Sequence, residues 1–177
     1  AFCRYYKKFS CYSLRNILDI VDKVLDDLLA VYISDNLGFS EWDVNGLINA
    51  IRLKFGLEPG ISILEGKRKE EIKEDLYTRI VDVYEEKEKS LSQDLLRHME
   101  RMVFLQIIDS KWKDHLYAMD QLREGIGLRA YGQRDPLIEY KREAFDMFSQ
   151  MISGIEEETV EALFKLQPVK PERFKGV

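Results

Sequence analysis

Apolar residues recur at steps of three and four through most of the chain, beginning with a run from Leu14 to about Ile33. This spacing places them on one face of a helix. A shorter helix is predicted from near Ser40, which could cap it, to Phe55, because Gly56 and a Pro-Gly pair shortly after it end the pattern. The two apolar faces comprise Leu14, Ile17, Leu18, Val21, Leu25, Leu28 and Leu29 in the first helix, and Leu47, Ile48 and Ile51 in the second.

Two further patterns predict longer helices. The segment from Lys67 to Lys89 is dense in charge, and the pattern from Leu95 to Ile126 contains no proline and covers roughly 30 residues, or about 45 Å. The apolar positions of the first are Ile72, Leu76, Ile80, Val83 and Tyr84. Those of the second are Leu95, Met99, Met102, Leu105, Ile108, Trp112, Leu116, Met119, Leu122 and Ile126.

Asp135 followed by Pro136 predicts the start of a last helix, because a capping acid before a first-turn proline is typical of helix starts. Two long helices joined by a short connection are expected to lie antiparallel. The sequence therefore predicts an all-α fold. The apolar positions of the last helix are Tyr140, Ala144, Met147, Met151, Ile155, Leu163 and Leu166.

The connection from Gly127 to Arg134 is a candidate contact segment. Between Glu124 and Asp135 the chain has two arginines and no acid. Tyrosine offers contact area at low rotamer cost, and arginine offers hydrogen bonds and stacking, so this segment could touch a partner that has no fixed sequence. The alternative is an ordinary hairpin turn with Tyr131 folded onto its base.

Composition narrows the function classes. The 177 residues carry a formal net charge of −5 and no dominant basic stretch, which argues against nucleic acid as a partner. Cys3 and Cys11 are the only cysteines; they form no recognisable zinc motif, and reduced thiols are expected. No run approaches the roughly 20 apolar residues needed to span a bilayer, and a soluble, cytoplasmic protein is predicted.

The sequence contains no recognisable catalytic motif. The segment Gly60–Arg68 differs from a phosphate-binding loop in the spacing of its glycines and in having Arg68 where Ser or Thr must hold magnesium. His98 and His115 lack a metal-binding spacing, and we expect them to face solvent or to be hydrogen-bonded. The chain is predicted to bind and transmit rather than to catalyse, without a cofactor or metal of its own.

A series of short motifs follows Met99, namely Leu105-Gln106, Ile108-Asp109-Ser110, Trp112, Asp114-His115-Leu116, Met119-Asp120, Leu122-Arg123, Gly125-Ile126, Leu128-Arg129, Tyr131, Gln133, Asp135-Pro136 and Glu139-Tyr140-Lys141-Arg142-Glu143. With these motifs the chain resembles the two-helix finger and adjoining scaffold helix of the SecA family of protein translocase motors. Likeness to the helical wing of the family rests on Glu41-Trp42-Asp43, Gly46-Leu47 and Phe55-Gly56-Leu57, and Tyr84-Glu85-Glu86-Lys87-Glu88 is similar to the segment that returns to the scaffold.

The resemblance implies long scaffold helices, a small helical wing lobe and an antiparallel two-helix finger. It divides the chain into the end of a scaffold helix over 1–33 with an unassigned start, a wing lobe over 34–66, a return helix over 67–94, the scaffold helix and finger over 95–167, and a tail over 168–177. SecA couples ATP hydrolysis to the movement of unfolded preproteins through the SecY channel. The resemblance implies a fragment without the nucleotide-binding domains, so ATP and magnesium belong to the parent motor.

The resemblance also implies partners. These are the SecY channel complex, unfolded preprotein and the motor domains of the same parent protein, with peripheral association at the inner membrane and self-association through exposed apolar patches. Tyr131 matches the tyrosine that meets the translocating chain, with Leu128, Arg129, Gln133 and Arg134 beside it. The alternative is a purely structural helical scaffold or oligomerisation module without substrate contact.

Overall fold

A computed structural model of the protein describes residues 14–33, 41–60, 64–127 and 135–166. This part of the chain contains α-helices and no β-strand, which confirms the predicted all-α class. The helices are α1 (Leu14–Tyr32), α2 (Val44–Phe55), α3 (Lys69–Leu91), α4 (Gln93–Gly125) and α5 (Pro136–Lys165). No helix in these ranges is long and apolar enough to cross a membrane.

The chain divides into two compact units. The first unit comprises the described parts of Ala1–Glu100 and Val160–Val177, and the second unit is Arg101–Thr159. The helices α4 and α5 each begin in one unit and end in the other. The domain boundaries implied by the family resemblance stay a prediction.

The first unit is built around α1, which packs on both α2 and α3. Apolar residues on one face of each helix are buried, as their helical spacing predicts. The buried set is Ile17, Ile20, Val21, Val24, Leu25, Leu28 and Leu29 on α1, Leu47, Ile51 and Phe55 on α2, and Ile72, Leu76, Ile80, Tyr84 and Leu91 on α3. Val160, Leu163 and Phe164 from the end of α5 are buried in the same unit.

An ion-pair cluster joins α1 to α3. Lys73 lies between Asp22 and Asp26, with Nζ–Oδ1 distances of 2.9 and 2.7 Å. Partial burial acts to lower the pKa of Lys73, but its bonds to the two carboxylates outweigh this and raise it. Because all three side chains remain partly exposed, the pairs orient the helices more than they stabilise them.

Both ends of α2 have recognisable caps. The Asp43 side chain accepts a hydrogen bond from the backbone N–H of Gly46 at 2.8 Å, which satisfies one of the free amides of the first turn. At the other end, Gly56 has φ 68° and its N–H donates to the carbonyl of Arg52, as in a left-handed glycine cap. Ser40, the predicted cap, lies outside the described residues; the cap is Asp43.

A single residue, Ser92, separates α3 from α4. Its backbone has φ 68° and ψ 146°, a conformation that side-chain-bearing residues rarely adopt. Its carbonyl accepts the first backbone hydrogen bond of α4, from Leu96. The break between the two helices is therefore abrupt and depends on the surrounding contacts to hold it.

In the second unit, α4 and α5 run antiparallel. Lys111 forms an ion pair with Glu158, while His115, one turn further along α4, contacts Phe148, which is earlier on α5. The start of α5 is the predicted one: Asp135 Oδ1 accepts a hydrogen bond from the N–H of the second residue of the helix at 2.8 Å.

The apolar pattern predicted for α4 mixes two faces of the helix. Four of the predicted positions are exposed: Leu95, Met102, Leu105 and Leu116. The buried positions of the helix are instead Leu96, Glu100 and Phe104. Successive residues lie about 100° apart around a helix axis. Because the prediction placed Leu95 rather than Leu96 on the apolar face, the predicted face is rotated away from the core. The predicted face of α4 was wrong for these residues.

Candidate functional site

The predicted contact segment lies between α4 and α5. All five predicted site residues, Leu128, Arg129, Tyr131, Gln133 and Arg134, fall in 128–134, outside the described residues. The structure describes the helices on either side of this segment, which are antiparallel and end and begin close to it in sequence. The assignment of these five residues to substrate contact stays a prediction.

The helices next to this segment bury little of their surface. From residue 105 to 127 and from 135 to 150, no side chain is buried in this chain. Large apolar side chains are exposed on both helices, namely Met102, Leu105, Leu116 and Tyr117 on α4, and Leu137, Ile138 and Phe145 on α5. Apolar surface of this extent is typical of a region that binds a partner. We call this set the hairpin surface.

An aromatic group links the two helices of the second unit. The ring of His115 lies 5.6 Å from that of Trp112 and 5.9 Å from that of Phe148, measured between centroids. Both Trp112 and His115 are half-buried. The group therefore fixes the helix pair through partial contacts and leaves part of its own aromatic surface available.

A cleft of about 310 Å³ lies between the same helices. Its lining combines Ala118 and two methionines with charged and polar side chains, and the cleft is open to solvent. Enclosed ligand sites are usually deeper than this open cleft. Its lining comprises Lys111, Asp114, His115, Ala118, Met147, Gln150, Met151 and Gly154.

The described residues also provide no metal centre. Among them there is no group of three or more His, Cys, Asp or Glu side chains able to hold a metal ion. His98 is exposed, and His115 contacts two aromatic rings. Asp109 pairs with Lys113 on its own helix. None of these groups converges on a common point.

A polar cluster lies at the joint between α3 and α4, which sequence analysis did not predict. We call it the joint cluster: Tyr84 and Glu88 on α3, and Arg97 and Glu100 on α4. The Tyr84 hydroxyl and an Arg97 N–H both donate to Glu100 Oε1, and Arg97 also donates to Glu88 Oε1 at 2.6 Å. One guanidinium group is thus shared between two carboxyl groups.

Glu100 is the most deeply placed member of the joint cluster. Its residue is 0% exposed, and its second oxygen, Oε2, has no hydrogen-bond partner in the described part of the chain. Burial raises the pKa of Glu100 to about 7, because removing a carboxylate from water disfavours its charged form. Its position at four-residue steps from Leu96 and Phe104 was the signal that could have revealed this burial.

Lys87 connects the same region of α3 to the end of α5. Its ammonium donates to the backbone carbonyls of Leu163 and Phe164, at 2.8 and 2.6 Å, and lies 5.7 Å from the centre of the Phe164 ring. A cation at a helix C-terminus satisfies carbonyls that have no partner within the helix. Burial lowers the pKa of Lys87. The last turns of α3 therefore hold both α4 and α5.

Comparison with known proteins identifies one family. The model described as SecA Wing and Scaffold domain matches residues 12–167. Proteins named protein translocase subunit SecA are similar to this chain. That of Pelotomaculum thermopropionicum is 39% identical over 160 residues, which cover 89% of this chain and 18% of the relative. That of Streptomyces griseus is 42% identical over 159 residues, which cover 85% of this chain and 17% of the relative. A third, from Syntrophomonas wolfei, is 38% identical over 162 residues, 90% of this chain and 20% of its own. The chain spans about a fifth of the length of these relatives.

Proposed function

Because the chain belongs to the SecA wing and scaffold family, we propose that it links the motor domains of a SecA translocase to a hairpin tip that contacts a translocating polypeptide at the SecY channel. In this proposal the tip is the segment 128–134. Tyr131 lies against the unfolded polypeptide, with Leu128 adding apolar area. Arg129, Gln133 and Arg134 supply hydrogen bonds that any backbone can accept, which suits a substrate without a fixed sequence.

The contrast in burial between the two units is the observation that supports this proposal most. The first unit has a continuous apolar core, as expected of a part that folds on its own contacts. The helices of the second unit bury almost nothing over 105–127 and 135–150. Antiparallel helices held by an ion pair and an aromatic group, with their apolar residues uncovered, suit a part whose surfaces are completed by partners.

The hairpin surface offers two groups of residues to those partners. We assign Met102, Leu105 and Leu116 on α4 to the motor domains, since α4 corresponds to the scaffold helix of the family. We assign Leu137 and Ile138, which lie in the first turn of α5, to the channel. Contact with the channel then places the chain at the membrane peripherally, through a protein partner.

The chain alone is expected to bind no ATP, because nucleotide and magnesium belong to the motor domains of the parent protein. Titration of the isolated chain with magnesium and ATP in a calorimeter tests this expectation. Heat of binding that saturates, or release of phosphate, would contradict the assignment of the chain to the scaffold alone.

Site-specific photo-crosslinking tests contact with the substrate. A photoreactive phenylalanine analogue replaces Tyr131 in a full-length SecA that carries this segment, and a preprotein is arrested during translocation. We expect crosslinks to the preprotein from position 131. The matched control places the same group at Thr78, which is exposed on α3 in the first unit. Equal crosslinking from both positions would contradict a specific contact.

The alternative function, a purely structural scaffold or oligomerisation module, is distinguished by Tyr131→Ala. If Tyr131 contacts substrate, this change should alter the free energy of unfolding by about 0.5 kcal/mol or less and still impair translocation by the full-length motor, whereas Tyr131→Phe should retain much of it. A stability loss of roughly 2 kcal/mol or more, with translocation retained, would favour the structural module.

A further inference from the structure

The joint cluster has no part in the proposed function, yet its central carboxyl group is in an unusual environment. Glu100 is fully buried, and its Oε2 has no hydrogen-bond partner in the described ranges. A buried carboxylate is tolerated only when donors replace the water it has lost. Here both donors, from Tyr84 and Arg97, serve the other oxygen, Oε1.

The charges around Glu100 are unequal. From α3, Tyr84 and Glu88 face the cluster, and from α4 the guanidinium of Arg97 binds both carboxyl groups. Lys87, also on α3, directs its ammonium to the carbonyls at the end of α5 instead. The cluster therefore pairs one cation with two carboxyl groups, and its charge balances only when one of these is protonated. The fully buried Glu100 is the one that gains most by being neutral.

We propose that protonation of Glu100 is a latch for the joint between α3 and α4. With Glu100 neutral, Arg97 balances Glu88 and the first turns of α4 stay packed on α3. When Glu100 ionises, the excess negative charge favours opening at Ser92, which admits water to the carboxylate. This device goes beyond the proposed function and depends only on the first unit.

The backbone at the joint supports this proposal. Ser92 has φ 68° and joins two helices by itself, so the closed joint carries backbone strain that the surrounding contacts must offset. The raised pKa of Glu100, about 7, places the change of charge close to neutral pH. The joint therefore combines a strained backbone, a shared cation and a carboxyl group that can change its charge.

Hydrogen exchange of the 177-residue chain, measured by mass spectrometry and corrected for intrinsic rates, tests the latch. Between about pH 6 and about pH 8 we expect the protection of the amides of residues 96–100 to fall about tenfold, because Glu100 has a pKa of about 7 when buried and 4.5 when exposed. In Glu100→Gln, which keeps the shape without the charge, we expect a change below about twofold.

The matched control is Glu85→Gln, which removes an exposed carboxylate from α3 and should behave as the unchanged chain does. Equal protection at both pH values in the unchanged chain, or the same tenfold fall in Glu100→Gln, would overturn the proposal. A second measurement requires no variant to fold: the side-chain carboxyl ¹³C shift of Glu100 should titrate with a midpoint near 7. A midpoint below about 5 would overturn the proposal as well.

Discussion

The ring of Phe164 meets that of Phe55 edge to face, with 5.2 Å between the centroids. The same ring lies 5.8 Å from that of Tyr84 and beneath the ammonium of Lys87. Phe164 thus brings the end of α5 into contact with α2 and α3. This residue closes the first unit, although it lies more than 70 positions from Lys87 in the chain.

Phe164→Ala should therefore be strongly destabilising. Phe164 is 7% exposed, and removal of its ring leaves a cavity among aromatic neighbours, so we expect the free energy of unfolding to fall by about 3–5 kcal/mol. Phe145→Ala is the matched control on the same helix, since Phe145 is 70% exposed and should cost about 0.5 kcal/mol or less. Urea unfolding followed by circular dichroism measures both. Similar losses of stability in Phe164→Ala and Phe145→Ala would contradict the burial of Phe164.

Gly46→Ala should destabilise the first unit. An added Cβ would lie 2.6 Å from Cε1 of Tyr32 and would clash with the Asp43 side chain that caps α2. We expect a loss of about 1–3 kcal/mol, because a clash in a packed site forces neighbours to shift. Gly125→Ala is the control: it ends α4 with no heavy atom within 4 Å of an added Cβ, and should be neutral or slightly stabilising. Thermal unfolding compares the two.

Trp112→Ala should cost less than a core substitution, because Trp112 is only half-buried. Loss of its contact with His115 should lower the free energy of unfolding by roughly 1–2 kcal/mol. A loss as large as that of Phe164→Ala would mean that another molecule covers this face. Repeating the measurement over a range of protein concentrations would reveal a second copy of the chain, since stability would then rise with concentration.

The stability of the chain should depend on pH through Glu100. Its pKa is raised from 4.5 to about 7 by burial, so the folded state holds this proton more tightly than the unfolded state does. The contribution is fully present below about pH 4.5 and is lost as pH rises through about 7. Urea titrations measure the difference in the free energy of unfolding between the unchanged chain and Glu100→Gln. This difference should change as pH rises from about 4.5 to about 7 and should level off above that range. A constant difference throughout would contradict the assigned pKa.

Periodicity predicted the helices well because local patterns determine them. The Asp135-Pro136 pair identified the start of α5, and the buried faces of α1 and α3 follow their apolar spacing. The spacing of Glu100 from Leu96 and Phe104 places it on the buried face of α4, but its residue type argues against burial, because a glutamate in a charge-rich helix is usually solvated. Its burial depends on Tyr84, sixteen positions away, a tertiary contact that no local pattern contains.

The break at Ser92 had a local signal that was overlooked. A serine two positions before Asp94 is typical of the residue that precedes a helix. The apolar patterns on either side predict two separate helices, but they do not identify the residue at which one ends and the next begins. The contact role of segment 128–134 stays a prediction from the sequence, and its flanking helices are where the pattern predicted them.

The single-residue joint at Ser92 also determines which side of α4 faces α3. One residue added or removed between Leu91 and Gln93 would rotate α4 by about 100° about its axis, so that a different stripe of side chains would meet α3. Natural variation in length is therefore expected to be tolerated in the loops of this family but excluded at Ser92, where an insertion or deletion would change which face of α4 meets α3.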